Sequence, residues 1–261
     1  MKIKIKQSKL IEILDYLSVD GLFSFSEITT TIDEKTKKPC LVSSQTGDFA
    51  YRYAKFFGEY FEELSEEEES ICIDIDKVRK FINYEKPGDI ITIQYPAPND
   101  KTKLMLKIGK TKHKLAITKI DDKEHRTVLP FPMKKGVPYM NKGQVALDTN
   151  FVINLESIKR ITGYASAHGT EFFGFKIGDD KKVKIRVGDL HATDDCTEDE
   201  PNCKVLNVNG NLDVILTYGV KEIAKTFHGD VKVYMKSGMA AWFTETSQNH
   251  RFGILISPRN S

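Results

Sequence analysis

One plan of strands and helices occurs twice along the 261 residues, and this repeat limits the fold more than any other feature. KIKIK followed by QSKLIEILDYL reads as an alternating strand running into an amphipathic helix. Leu10, Ile13, Leu14 and Leu17 recur at helical spacing, and Ser8 is the expected N-cap. QVALD followed by TNFVINLESIKRI repeats the plan with Leu155, Ile158 and Ile161 on one face, and Asn150 stands 142 residues after Ser8. The second element agrees. ICIDIDKVRKFINYEKPGDIITIQY and LDVILTYGVKEIAKTFHGDVKVYM both read strand, short helix, Gly-Asp turn, strand. Gly229-Asp230 follows Gly88-Asp89 by 141 residues, the same offset within one. Further strands close each half: LMLKI and HKLAIT in the first, AAWFTET and FGILIS in the second.

A tandem pair of α+β modules is therefore expected, 1–119 and 144–261, each about the size of an ordinary domain. The intervening residues 120–143 hold three prolines and two glycines without clean periodicity and read as an extended connector. Its apolar island, Leu129-Pro130-Phe131-Pro132, is either a packed linker or an exposed docking edge.

Composition narrows the class. With 40% apolar, 10% aromatic and 29% charged residues the chain is neither collagenous, disordered nor a disulfide scaffold. No apolar run approaches the roughly 18 to 20 residues of a membrane span. The alternating start reads as a strand rather than a signal peptide, so a cytosolic or nuclear location is expected. Net charge is only +2, but residues 59–69 hold seven glutamates and no base, which leaves +9 on the rest. That acidic run reads as a solvated loop or a repulsive flank. Cys196 and Cys203, in DDCTEDEPNC near His191, lack the pair spacing of a zinc site and read as free loop thiols; no metal is expected.

Catalytic signatures are missing. The sequence contains no phosphate-cradling glycine motif, no G-x-S-x-G elbow and no H-E-x-x-H. Its six histidines are scattered, and the pairs Asp179-Asp180 and Asp194-Asp195 sit beside turn residues. This pattern points away from an enzyme. The helices instead offer bases: Lys77, Arg79 and Lys80; Lys221 and Lys225; Lys159 and Arg160; and Lys9, followed by Glu12 and Asp15. Such residues either hold phosphates loosely without reading bases or simply solvate a helix face.

Over nearly the whole chain, the order, spacing and duplication of these segments resemble the DNA sliding clamp of the archaeal and eukaryotic type, the proliferating cell nuclear antigen (PCNA) family. YFEELSEEEESICIDIDKVRKFINYEKPGDIITI, LDVILTYGVKEIAKTFHGDVKVYM and FGILISPR carry the resemblance. It implies two similar domains per subunit, three subunits closed head to tail, helices lining a central hole and sheets outside. It implies a processivity factor that encircles duplex DNA without reading sequence and tethers polymerase and other replication or repair proteins. No catalysis and no cofactor are implied, and a separate loader opens the ring. A location at the nucleoid or in the nucleus follows.

The resemblance also assigns residues. Lys80 matches the hole-lining bases best, with Lys77, Arg79, Lys221 and Lys225 more loosely and Lys9, Lys159 and Arg160 on the other helices. Lys112, Lys114 and Ala116 lie on a strand expected to pair across the subunit boundary with one carrying Lys182, Lys184 and Arg186. A short apolar peptide of a partner would dock at Leu129, Pro130, Phe131, Ile256, Ser257 and Pro258, with Phe49 and Tyr51 nearby. The chain departs from the family at Ile11 and Glu12, at Ile153 and Glu156 where arginines are favoured, and at Gln45 where aspartate is usual. It is slightly basic where relatives are commonly acidic, and CTEDEPNC looks like an added loop. A mixed ring, or a clamp-like scaffold or decoy that never encircles DNA, is the alternative.

Overall fold

The computed structural model describes residues 1–19, 23–47, 50–84, 88–117, 131–140, 143–170, 172–188, 196–199, 203–216 and 224–258. Two units divide the chain. The first takes Met1–Gln45, Arg52–Val128 and Thr246–Phe252, the second Thr46–Tyr51, Leu129–Glu245 and Gly253–Ser261. Nine strands and two helices fall mainly in the first: β1 (Lys2–Lys6), α1 (Gln7–Ser18), β2 (Phe25–Ile32), β3 (Pro39–Thr46), β4 (Ala50–Phe57), β5 (Glu63–Leu64), β6 (Glu69–Asp74), α2 (Ile75–Asn83), β7 (Ile90–Gln94), β8 (Lys103–Ile108) and β9 (Thr111–Ala116). The rest are β10 (Met133–Lys134), β11 (Val137–Met140), β12 (Val145–Ala146), β13 (Thr149–Ile153), α3 (Leu155–Ala167), β14 (Phe173–Ile177), β15 (Val183–Val187), β16 (Cys196–Asp199), β17 (Cys203–Asn207), β18 (Leu212–Leu216), β19 (Val231–Met235), β20 (Ala241–Thr246) and β21 (His250–Ile256). No described helix is long and apolar enough to cross a membrane.

In the first unit, β1 turns Ile3 and Ile5 into the core while its lysines face out. α1 follows without a side-chain cap: Lys6 is the N-cap and Ser8 lies inside the helix. The end is secured by Gln7 instead, whose Nε2 donates to the Ile82 carbonyl (3.0 Å) and whose Oε1 accepts from Gly88 N–H (2.9 Å). That one buried side chain ties the start of α1 to the loop after α2. α2 is capped by the Asp74 side chain, which accepts from Lys77 N–H at 2.8 Å. Ile75, Val78 and Ile82 face the core, and Lys77 and Lys80 face out.

The second unit repeats this plan strand for strand. Its sheet order β17-β13-β19-β20-β21 matches β5-β1-β7-β8-β9, and β16-β15-β14-β18 matches β4-β3-β2-β6. Phe151 and Phe175 meet edge to face in its core at 5.1 Å. β14 and β18 approach so closely that a Cβ on Gly174 would stand 1.7 Å from the Val214 carbonyl oxygen.

The repeat's first element is placed differently from the sequence reading. Asn150 is a strand residue of β13, and α3 starts at Leu155 behind an Asn154 cap that accepts from Ser157 N–H at 2.8 Å. The alternation of buried Phe151 and Ile153 wins over the helical reading of TNFVI. β13 therefore starts 147 residues after β1, whereas β19 starts 141 after β7. The connector also contains more order than expected, a hairpin of β10 and β11; residues 120–130 lie outside the described residues.

The acidic run is absorbed by the fold in part, while Glu66, Glu67 and Glu68 stay exposed as a solvated loop. Glu63 bridges Lys2 (2.6 Å) and Lys4, Glu62 lies 3.8 Å from Lys6, and Glu59 binds Lys38 at 2.5 Å. Glu63 and Glu62 balance the lysines of KIKIK, Glu63 across the β1–β5 ladder. Hydrogen bonds from Lys2 and Lys4 hold the Glu63 carboxyl below the usual carboxylate range.

Candidate functional site

Two surfaces matter: the outer faces of the helices and the open edges of the sheets. On the helices of the first unit, Arg79 and Lys9 are engaged. Arg79 donates to Asp15 of α1 (2.6 Å) and to Ser18 Oγ (3.2 Å), so it ties α2 to α1. Lys9 pairs with Glu12 at 2.9 Å and sits 4.8 Å from the Tyr60 ring centre. Lys77 and Lys80 remain exposed.

In the second unit Lys159 of α3 and Lys225, within the helical turn 224–226, are exposed and line one open cleft of about 400 Å3. Leu155, Ala224 and Phe227 line it too, with Thr162 and His228 adding polar groups. Thr162 and His228 were missed from sequence, although Thr162 is one helical step from Lys159. Glu245 fixes this corner by accepting from His228 N–H at 3.0 Å. Arg160 is half-buried, its guanidinium 5.9 Å from the Tyr164 ring. Lys221 lies outside the described residues.

At the sheet edges, β9 has a ladder only with β8 among the described residues, and Lys112, Lys114 and Ala116 on it are exposed. His113 on its other face packs against Phe81 of α2 at 4.3 Å. The partner edge differs from expectation. Lys184 and Arg186 lie on β15, with Lys182 just before it, and β15 is paired on both sides, to β14 and to β16. Its ladders are used up, so it cannot accept a strand from elsewhere. Among the described residues the strand outside β15 in that sheet is β16, with β18 at the opposite end; β16 is the CTED part of the CTEDEPNC segment read from sequence as an added loop. Position in the repeat makes β16 the counterpart of β4.

No protein-family model and no curated protein match the chain. Solved structures do. PCNA of Entamoeba histolytica superposes with a TM-score of 0.73 at 10% identity, covering 99% of this chain and 98% of its own. A. fulgidus PCNA, in a structure with the C-terminal region of FEN-1 bound, gives 0.71 at 15% identity, with 100% and 98% covered. PCNA of Thermococcus kodakaraensis gives 0.71 at 13% identity and 99% of both chains. The fold is that of a PCNA-type sliding clamp. Its two-domain plan accounts for the repeat at every strand.

Within this clamp fold the expected peptide pocket divides into parts. Phe131 is buried, edge-on to Trp242 at 5.0 Å, and Ile256 is fully buried, so neither presents an exposed side chain. Trp242 reaches over Gly253, where a Cβ would stand 2.1 Å from the indole. Tyr51, Ser257 and Pro258 are half-exposed, and Pro258 bridges to Leu216. Phe49, Leu129 and Pro130 lie outside the described residues. Gln45 has a local explanation. Arg52, fully buried, donates to Ser26 Oγ (2.9 Å), Ser43 Oγ (3.1 Å) and Gln45 Oε1 (3.2 Å).

Proposed function

We propose that the chain is a subunit of a sliding clamp, a ring that encircles duplex DNA and tethers polymerase and other DNA-working proteins. The observation that carries this reading is the repeat of the clamp fold with an unfilled pair of edges. Within the first unit, the start of β21 runs beside β4, and Phe57 N–H donates to the Asn249 carbonyl at 2.8 Å. The counterparts of β21 and β4 are β9 and β16, each open on one side among the described residues. The same pairing made between copies is heterologous, and three copies that close would give a homotrimer. This replaces the β9–β15 pairing expected from sequence.

The mechanism is topological. Encirclement prevents escape while weak phosphate contacts, from Lys77, Lys80, Lys159 and Lys225, allow sliding. Tethering raises the effective concentration of bound enzymes at DNA. Partners would dock a short apolar peptide over Phe131 and Pro258, as FEN-1's C-terminal region binds the A. fulgidus clamp. An energy-driven loader would open the ring. No chemistry is assigned to the chain itself.

Light scattering tests the assembly: three copies of 29.7 kDa should give about 89 kDa. Retention tests the topology. A loaded ring stays on closed circular DNA and runs off once the circle is cut, while retention indifferent to cutting would reject encirclement. A non-encircling scaffold is the second reading, favoured by the neutralised bases Lys9 and Arg79. Peptide binding with no DNA retention would support it.

A further inference from the structure

Tyr84 stands apart from the other large apolar side chains among the described residues. It is 89% exposed, where Phe25 and Ile90, next in order, reach 51%. Tyr16 and Tyr60 of the same unit are buried in ring contacts, whereas Tyr84 has neither a hydrogen bond nor a ring contact among the described residues. It follows the last residue of α2 with helical backbone angles (φ −81°, ψ −13°). Helical spacing therefore runs through it. Lys77, Lys80 and Tyr84, at i, i+3 and i+7, fall on one stripe about 60° wide. Both lysines are exposed, with no acidic partner among the described residues, and Asp76 of the first turn bridges neither. The turn itself is held. Buried Gln7 donates to the Ile82 carbonyl and accepts from Gly88 N–H, so backbone on both sides of Tyr84 is tied to the start of α1.

A ring kept in water adds no burial to the fold. Alone it would need no explanation. Interleaved with two free cations on a fixed turn, it matches a chain that alternates anionic groups with flat apolar faces. In continuous duplex the base faces cover one another, and only phosphates reach the lysines. An unpaired base offers its face.

We infer that Tyr84 is a stacking platform for an unpaired base of DNA, with Lys77 and Lys80 on the flanking phosphates, so that the chain distinguishes a gap, flap or strand end from continuous duplex. The inference rests on the reading of the helix faces as a DNA surface and adds a contact that sliding on phosphates lacks. Every base has a face, so the contact depends on base pairing and not on sequence.

Fluorescence anisotropy with the full chain tests this on three ligands: a duplex, the same duplex with a short single-stranded gap, and that gap made of abasic residues. Tyr84→Ala should weaken binding to the gapped duplex by about tenfold and leave the other two within about twofold. Tyr84→Phe and Tyr84→Trp should keep the preference for the gap. Tyr84→Leu, apolar but without a flat face, should lose most of it. Lys77→Ala with Lys80→Ala should weaken binding to all three ligands and lower the salt slope by about 1.5, which Tyr84→Ala should leave unchanged. The urea midpoint of Tyr84→Ala should equal that of the original chain, which separates lost stacking from misfolding. Equal losses on the intact and abasic gaps, or no loss on either, would overturn the inference, and the DNA reading of the helices would stand if the lysine variant still lowers the slope. No association with any of the three at any salt would sink both.

Discussion

The two units share one strand plan but treat charge differently at matching turns. In the first, four basic groups are turned inward or paired. Arg52 is fully buried among hydroxyls, Lys55 binds Asp33 beneath the β2–β3 turn, and Arg79 and Lys9 are held by Asp15 and Glu12. In the second, the corresponding turn between β14 and β15 carries Asp180 and Lys184 at 3.4 Å, exposed by 43% and 33%. Lys159 and Lys225 line an open cleft there. Duplication supplies two copies of each position, and one copy can build the fold while the other meets a partner.

The turns give the largest expected contrast. Burial alone would push Asp33 upward, but Lys55, the Thr36 N–H and the Thr36 hydroxyl overcome it and hold the carboxyl well below its ordinary range. A depressed carboxyl stabilises above its unfolded pKa of about 3.9 and loses that contribution as pH falls. Lys55→Met, which strands a nearly buried carboxylate, should cost about 3 kcal/mol at neutral pH in urea denaturation. The deficit should shrink below about pH 4, as Asp33 protonates. Asp180 is lowered mainly by the Lys182 N–H and stays exposed, so Asp180→Asn should leave the urea midpoint unmoved. Equal effects at the two turns would erase the contrast.

The sequence made the duplication legible because Gly88-Asp89 and Gly229-Asp230 punctuate both copies, and turn chemistry is local. It misled at TNFVI, where Asn150 looked like a cap. Strand or helix there is decided by the ladder of β13 with β19, a contact about 80 residues away in sequence. β16 was illegible for the same reason. CTED has no strand periodicity of its own and is made a strand by pairing with β15. The site was read as residue types rather than as geometry. Lysines on exposed helix faces were recognisable from spacing, but Asp15 is 64 positions from Arg79, and only folding reveals which base is spent.

DNA binding gives an intermediate contrast. Lys159→Ala with Lys225→Ala should remove about two phosphate contacts and lower the salt slope of DNA affinity by about 2. Lys9→Ala with Arg79→Ala should change that slope by well under 1, because those charges are already balanced. Salt-dependent affinity measured on one duplex with both variants decides the matter. Equal slopes would mean that the Asp15 and Glu12 pairs open when DNA arrives.

The smallest effect runs the other way. If Asp15 and Glu12 are what silence Arg79 and Lys9, Asp15→Asn with Glu12→Gln should free these two bases and raise affinity for duplex DNA. Exposed pairs of this kind contribute at most about 1 kcal/mol each, so the gain should be several-fold rather than large. The added charge should steepen the salt slope by about 1 to 2. Arg79 keeps its bond to Ser18 in this variant, so α1 and α2 should stay docked and the unfolding midpoint should barely move. Affinity that does not rise would show that the α1–α2 face is not turned toward DNA, and neutralisation by Asp15 would then be a property of the fold alone.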